Sequence, residues 1–421
     1  MRALKEWASS GVAGGGLAVS SLIVMVWQAV RLLMLAIGVI FAARVLGPQG
    51  YGIFSGTVGL ATTLAGFVGL GIGLLMYQRV AISPIEFSHR WRQTTAVTLV
   101  SGLVFAGVFV PLAQMVLGAM SSQIIILVAI SEIVLFPQVG AAAFAFAAHE
   151  KMGWAAALPA WSATLRLGAI MFFSWLPTIH DLAHYLVYHL VASAAGSLSA
   201  WICVNCFLRP SRMPLSIKKS DLYEGIAFSA VWFTGGAMAS LDKSLVLRIG
   251  GSVMTGLYAS AYRFASVLAM PIDAMVMSAM PRLFRAGAGG GGHSRLVAYM
   301  VLATLSYGVV VGGVLWLAAA GLPWLLGQQF EKAVLALRWM SLFIPIYGMR
   351  QLGSQLLVAE GKKMSRAIVD VGALAVMVLL ANVFIPRWGL AGAVGMLLAT
   401  ETLLALVIWI AVLRYERNLP I

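Results

Sequence analysis

The sequence predicts an all-α polytopic membrane protein, with about twelve transmembrane helices in two six-helix bundles related by a parallel pseudo-twofold repeat. Three observations carry this prediction. Hydrophobic residues make up 61% of the 421 and charged ones 10%, with a mean hydropathy of +0.94; a soluble domain of that length needs far more charge on its surface. Apolar runs long enough to cross a bilayer recur from end to end, as in Leu99 to Val116 and Ala367 to Ile385. One turn sequence also returns 204 residues after its first occurrence. Alternating patterns of the outer-membrane barrel type are absent.

Charge, proline and glycine mark where each run breaks. MRALKEW leads into the first span, 17–42, which contains Arg31, lacks a clear small-residue cleavage site and is read as a retained helix. The second, 51–76, starts after Gly47-Pro48-Gln49-Gly50 and stops short of Arg79. Arg90 and Arg92 precede the third, 94–117, and the fourth, 122–146, ends before His149-Glu150-Lys151. The fifth, 155–177, closes on Pro177, and the sixth, 183–207, on Arg209-Pro210. Spans seven and eight, 222–247 and 256–280, flank Arg248 and Gly251. Arg295 and Lys332 precede spans nine and ten, 296–320 and 333–358. The last two, 367–385 and 391–413, are parted by Pro386-Arg387 and end at Arg414.

The net charge of +14 resides mostly in the short links. Eighteen Lys and Arg fall on one side of these spans and four on the other, with six inside helices accounting for the rest of the 28. The positive-inside rule therefore places both termini in the cytoplasm. Cations so placed set topology and touch anionic lipid headgroups, and nucleic acid is not an expected partner. The longest link, with Arg209, Pro210, Arg212, Pro214, Lys218 and Lys219, divides the chain into an N-terminal bundle 1–208, a basic cytoplasmic hinge 209–220 and a C-terminal bundle 221–421. Gly287 to Gly292 is a second flexible link without the G-K-[ST] of a phosphate-binding loop, so no nucleotide is implied. Cys203 and Cys206 read as small packing residues, since no further ligands accompany them.

The repeated turn sets Arg44, Gly47 and Gly52 against Arg248, Gly251 and Gly256, with Val45/Ile249, Ile53/Leu257 and Phe54/Tyr258 alike in kind. An even number of spans per half makes the repeat parallel. Pro48 stops helix continuation, the glycines admit turn conformations, and Gly52 and Gly256 open their helices to close approach.

This stretch, A-R-V-L-G-P-Q-G-Y-G-I-F with Arg44, Gly47, Pro48, Gly50, Tyr51 and Gly52, resembles the first turn-around of the polysaccharide transporter family, the Wzx-type O-antigen flippases. That family belongs to the multidrug/oligosaccharidyl-lipid/polysaccharide exporter superfamily. Leu241-Asp242-Lys243 through Gly256-Leu257-Tyr258 to Met280-Pro281-Arg282 is similar to the family's seventh and eighth helices. The resemblance implies translocation of an undecaprenyl-diphosphate-linked oligosaccharide from the cytoplasmic to the periplasmic leaflet of a bacterial inner membrane. It further implies two halves rocking about a central cavity, an ion gradient (H+ or Na+) in place of ATP or other cofactors, and membrane lipids, a polysaccharide polymerase and chain-length proteins as neighbours.

A charge at mid-bilayer depth asks for a partner or a watery cavity. Arg31, Arg166, Arg263 and Arg350 are the candidates for binding a diphosphate or acidic sugar, because a planar guanidinium makes bidentate charged hydrogen bonds. Glu132, Asp273 and Glu401 are the candidates for ion coupling, since a buried carboxylate can take and release a proton. For both sets the structural alternative is mutual ion pairing. Lys243, Arg338 and Asp370 lie nearer the interfaces. His180-Asp181-Leu182-Ala183-His184, with His189 beyond, echoes a zinc helix but lacks the glutamate base, and reads as an interfacial cap. Trp91, Trp154, Trp324 and Trp388 read as interfacial anchors.

Two other functions fit a chain of this kind less well. An ion-coupled multidrug exporter of the same superfamily would favour acids in its cavity, whereas six of these ten intramembrane ionisable residues are cationic. A membrane glycan polymerase or ligase would present a sizeable outer loop, and every outer link here is short. No catalytic residues are assigned.

Overall fold

The computed structural model describes residues 2–118, 120–176, 181–211, 213–288, 293–359 and 363–417. Among these there is no strand; thirteen α-helices follow one another: α1 (Arg2–Ala65), α2 (Ile72–Ile82), α3 (Phe87–Leu117), α4 (Ser122–Val128), α5 (Phe136–Ala148), α6 (Met152–Trp175), α7 (Leu182–Phe207), α8 (Lys219–Ala288), α9 (His293–Ala318), α10 (Leu322–Leu326), α11 (Ala333–Met340), α12 (Phe343–Ala359) and α13 (Lys363–Arg417). His180 and the glycines at 289–292 lie outside the described residues.

Three of these helices are too long for one crossing. At about 1.5 Å per residue, a straight α8 of 70 residues would exceed a bilayer core several-fold. Each turns at a glycine: α1 at Gly47, α8 at Gly251 and α13 at Gly389. Counting each as two passes, and joining α1's end to α2, α4 to α5, α9 to α10 and α11 to α12, gives the twelve expected crossings. The turns at Gly47 (φ 65, ψ 179) and Gly251 (φ 80, ψ 175) share one conformation, which side-chain-bearing residues avoid. The 204-residue repeat is therefore structural as well as sequential.

The chain forms two compact units. The first comprises Met1–Phe41, Leu64–Met115 and Ala119–Phe233; the second comprises Ala42–Thr63, Val116–Gly118 and Thr234–Ile421. Each takes in a piece of the other sequence half. In the first unit, Met76, Trp91, Phe146, Leu158 and Val204 bury one another around Ala141, Ala142 and Ala145. Such small residues let helix backbones approach where lipid leaves little hydrophobic drive between helices.

Two expected spans are less regular than their hydropathy implies. The span 51–76 breaks after Ala65 into a 3-10 turn, Val68–Gly71, where Gly69, Leu70 and Gly71 all have positive φ and the Gly69 N–H donates to Ser101 Oγ at 2.8 Å. The span 333–358 is interrupted between α11 and α12, where Pro345 cannot donate to the carbonyl of Ser341.

Candidate functional site

In the first unit three ionisable side chains meet at one irregular turn. Between α4 and α5 the chain adopts a π-helical turn, Ala129–Leu135. Pro137, without an N–H, cannot bond the Ile133 carbonyl, so the ladder widens just ahead of it. Glu132 projects from this turn into the interior and is 5% exposed. Its Oε1 lies 2.8 Å from His189 Nε2 on α7, and its Oε2 accepts from Arg166 Nη1 on α6 at 3.3 Å. Arg166 Nη2 approaches Oε1 to 3.0 Å but is not aligned for a hydrogen bond, and Nε also lacks a hydrogen-bond acceptor. The guanidinium covers the Phe136 ring, 4.7 Å from its centroid. A carboxylate matched by one arginine is neutral overall, and the imidazole completes its hydrogen bonding.

The second unit holds a longer assembly. Asp242 accepts from the Tyr258 hydroxyl at 2.7 Å and from Lys243 Nζ at 2.9 Å, and Lys243 lies over the Tyr262 ring at 3.7 Å. A file of rings then runs Tyr258, Tyr262, Phe343, Tyr347, with successive centroids 6.3, 5.6 and 5.2 Å apart. At its far end the Tyr347 hydroxyl donates to Asp273 at 3.0 Å, and Arg350 pairs with Glu401 at 2.5 Å while covering Tyr347. The assembly sets two cations, Lys243 and Arg350, against three carboxylates, Asp242, Asp273 and Glu401, with aromatic faces between them.

Of the four arginines read as ligands, Arg166 and Arg350 are thus paired with two of the three carboxylates read as ion carriers, Glu132 and Glu401. Asp273 is held by Tyr347. Arg263 is half-buried on α8 and makes no ion pair with a described carboxylate. Arg31 is half-buried on α1 and engaged by its surroundings. Arg44 in the turn motif donates to Trp324 O at 2.8 Å and Leu325 O at 2.6 Å, satisfying carbonyls at the end of α10. Asp181 caps α7, accepting from the His184 backbone at 2.8 Å. Sequence reasoning missed Tyr347, Tyr262 and the role of His189. For His189 the available signal was a lone polar residue in mid-helix; for the tyrosines there was none beyond composition.

Twelve crossings with paired charges inside the bilayer define a polytopic membrane protein whose interior is built around polar groups. The comparisons say which. A family model described as polysaccharide biosynthesis protein matches residues 17–286. The chain belongs to that family. No match is found among curated proteins. Its fold is similar to an inward-facing multidrug resistance MATE family transporter of the MOP superfamily, with a TM-score of 0.72 at 14% identity over 94% of this chain and 98% of that one. It is also similar to the lipid II flippase MurJ in an inward closed conformation, with a TM-score of 0.74 at 11% identity over 93% of this chain and 87% of that one. A MOP superfamily transporter from Pyrococcus furiosus gives 0.65 at 15% identity over 95% of both chains. At such identities the likeness establishes the fold, that of the two-bundle MOP transporters.

Proposed function

We propose that this protein is a flippase moving undecaprenyl-diphosphate-linked oligosaccharide repeat units from the cytoplasmic to the periplasmic leaflet of a bacterial inner membrane, in the biosynthesis of a surface polysaccharide such as O-antigen, capsule or exopolysaccharide. The single observation that carries the reading is membership of a polysaccharide biosynthesis family by a chain with a transporter fold. The halves 1–208 and 221–421 move about the hinge 209–220 in alternating access, with both termini cytoplasmic. The candidates for contact with the diphosphate and sugar are Arg31 in the first unit and, in the second, Arg263 and the aromatic file beside Arg350. Glu132, Asp273 and Glu401 couple the cycle to an H+ or Na+ gradient.

Deletion in the native host tests this reading. Complete lipid-linked repeat units accumulate on the cytoplasmic leaflet if it holds; single units transferred outside would indicate a polymerase instead. The likeness to a MATE transporter favours one second reading, multidrug export. Under that reading deletion sensitises cells to cationic drugs and leaves the polysaccharide intact.

A further inference from the structure

At the end of the first unit where lysine and arginine gather, which the positive-inside rule makes cytoplasmic, two stretches distant in sequence are clamped together. Arg90 on α3 directs Nη1 to Asp221 Oδ2 in the first turn of α8 at 2.7 Å, and Gln93 Nε2 donates to the same oxygen at 3.1 Å. Arg90, Gln93 and Asp221 are all buried. On the rim, Arg79 of α2 pairs with Glu224 at 2.9 Å. Deeper along, Phe67 stacks on Phe233 with centroids 4.2 Å apart. α8 leaves this unit directly after Phe233, and Gly235 and Gly236 follow at once.

This clamp is not a proton switch. Burial pushes the Asp221 carboxyl up, but hydrogen bonds from Gln93 and Arg90 and the charges of Arg90 and Arg79 outweigh that and hold it below the usual carboxylate range. Asp221 stays ionised at any physiological pH, and the groups facing it (Arg90, Arg79, Gln93 and, through Arg90, Glu86) give it no reason to change.

If the halves 1–208 and 221–421 separate on the cytoplasmic side, as the flippase reading has it, the inner end of α8 parts from α3, with which it is packed in the first unit. Parting strips Arg90 of its buried counter-ion and leaves it Glu86, 3.0 Å away and itself 40% exposed, and the neutral Gln93 Oε1, which accepts from Nη1 at 3.2 Å. Losing the buried one of its two carboxylates leaves the Arg90 Nη1 side short of an anion, a place that a replacement anion can take in the open state. We propose that Arg90 is an entry site for a phosphate-bearing lipid headgroup, latched by Asp221, and that the arriving anion opens the inner side by taking the place of that carboxylate. The guanidinium suits a phosphate as it suits a carboxylate, by paired parallel N–H donors. The proposal rests on the flippase reading and adds to it where the substrate is first held. Two lipids carry the chemistry, the diphosphate-linked substrate and the anionic bulk lipids, and the test separates them.

The full chain, with Cys203→Ser and Cys206→Ser, carries spin labels at Ile85→Cys and Tyr223→Cys, 89% and 77% exposed in the parent. Label separation is measured in phosphatidylcholine nanodiscs. Undecaprenyl diphosphate is expected to shift the distribution to a longer distance. Asp221→Asn should reach that distance without ligand, its open fraction raised about tenfold or more. Arg90→Gln should abolish the response to ligand. Opening by phosphatidylglycerol discs alone would support the site with bulk lipid as its occupant. A wild-type distribution unmoved by either anion, or an equal response in Arg90→Gln, overturns the proposal. If the labels stay still while the chain supports glycan export, the latch alone fails. If they part on diphosphate while deletion leaves export intact, the flippase reading alone fails.

Discussion

Gly52 and Gly256, 204 residues apart, make the same contact from opposite sides of the repeat. A methyl group at Gly52 would overlap the carbonyl oxygen of Ser252, and one at Gly256 would overlap that of Pro48. Ser252 is Pro48's own counterpart at that offset, so the two helices cross with backbones touching about a pseudo-twofold axis. Gly52→Ala and Gly256→Ala are each expected to cost about 1–3 kcal/mol as overpacking. Gly38→Ala, where nothing lies within 4 Å, should be neutral or slightly stabilising. Thermal unfolding of the purified protein in detergent checks the contrast; equal effects at all three positions would contradict the crossing.

The two turns make a matching prediction. Gly47→Ala and Gly251→Ala force the same glycine conformation onto a side chain, at about 1–3 kcal/mol each. Similar losses of unfolding temperature are expected. A loss at only one would show that the second turn relaxes.

Glu132 is the shared partner of Arg166 and His189. Glu132→Gln leaves Arg166 a half-buried, unmatched cation and should destabilise by up to about 3 kcal/mol. Adding Arg166→Gln should restore part of that loss, since the unmatched charge goes with it. A double variant no better than the single one would mean that the pair is not what holds this interior together.

Arg263 makes no ion pair with a described carboxylate. Arg263→Gln should leave unfolding within about 0.5 kcal/mol of the parent. If it holds the diphosphate, export should fall about tenfold or more, the worth of a charged hydrogen bond. Glycan output normalised to protein level reads this directly, and unchanged output removes Arg263 from the site.

The depressed Asp221 carboxyl makes acid stability a test of the latch. Its folded-state pKa lies below the ordinary value of about 3.9, so its contribution is complete above that value and lost as pH falls through the lower folded-state one. The difference in unfolding temperature between parent and Asp221→Asn should be level from pH 8 to about 5 and shrink below about 4. A difference that shrinks between pH 6 and 8 would contradict the assignment. Asp181, exposed and held low by the backbone and side chain of His184 despite some desolvation, is unaltered in both proteins and cancels.

Elements dictated by local sequence were legible in it. Hydropathy marked the twelve crossings, and the Arg44 to Gly52 motif marked a turn whose glycine conformation recurs at Gly251. The irregular turn at Gly69 to Gly71 was not legible, because apolar content continues through it and the Ser101 hydroxyl that supports it comes from another helix. Side-chain partners were hidden for the same reason. Arg166 and Glu132 are 34 residues apart, and Arg350 and Glu401 are 51 apart, so spacing alone could not join them. Arg90 counted only as a topological charge. The neglected signal was Asp221 and Glu224, two acids opening a helix on the basic side of the membrane.

The central claim, that the chain carries a lipid-linked glycan across the bilayer, is tested most directly by reconstitution. Purified protein is placed in proteoliposomes holding an undecaprenyl-diphosphate-linked oligosaccharide, and a glycan-modifying enzyme is added outside. The flippase account predicts that the enzyme reaches substrate in both leaflets, that protein-free vesicles expose only the outer share, and that an imposed ion gradient changes the rate. An inner-leaflet pool as protected with the protein as without it would contradict the account.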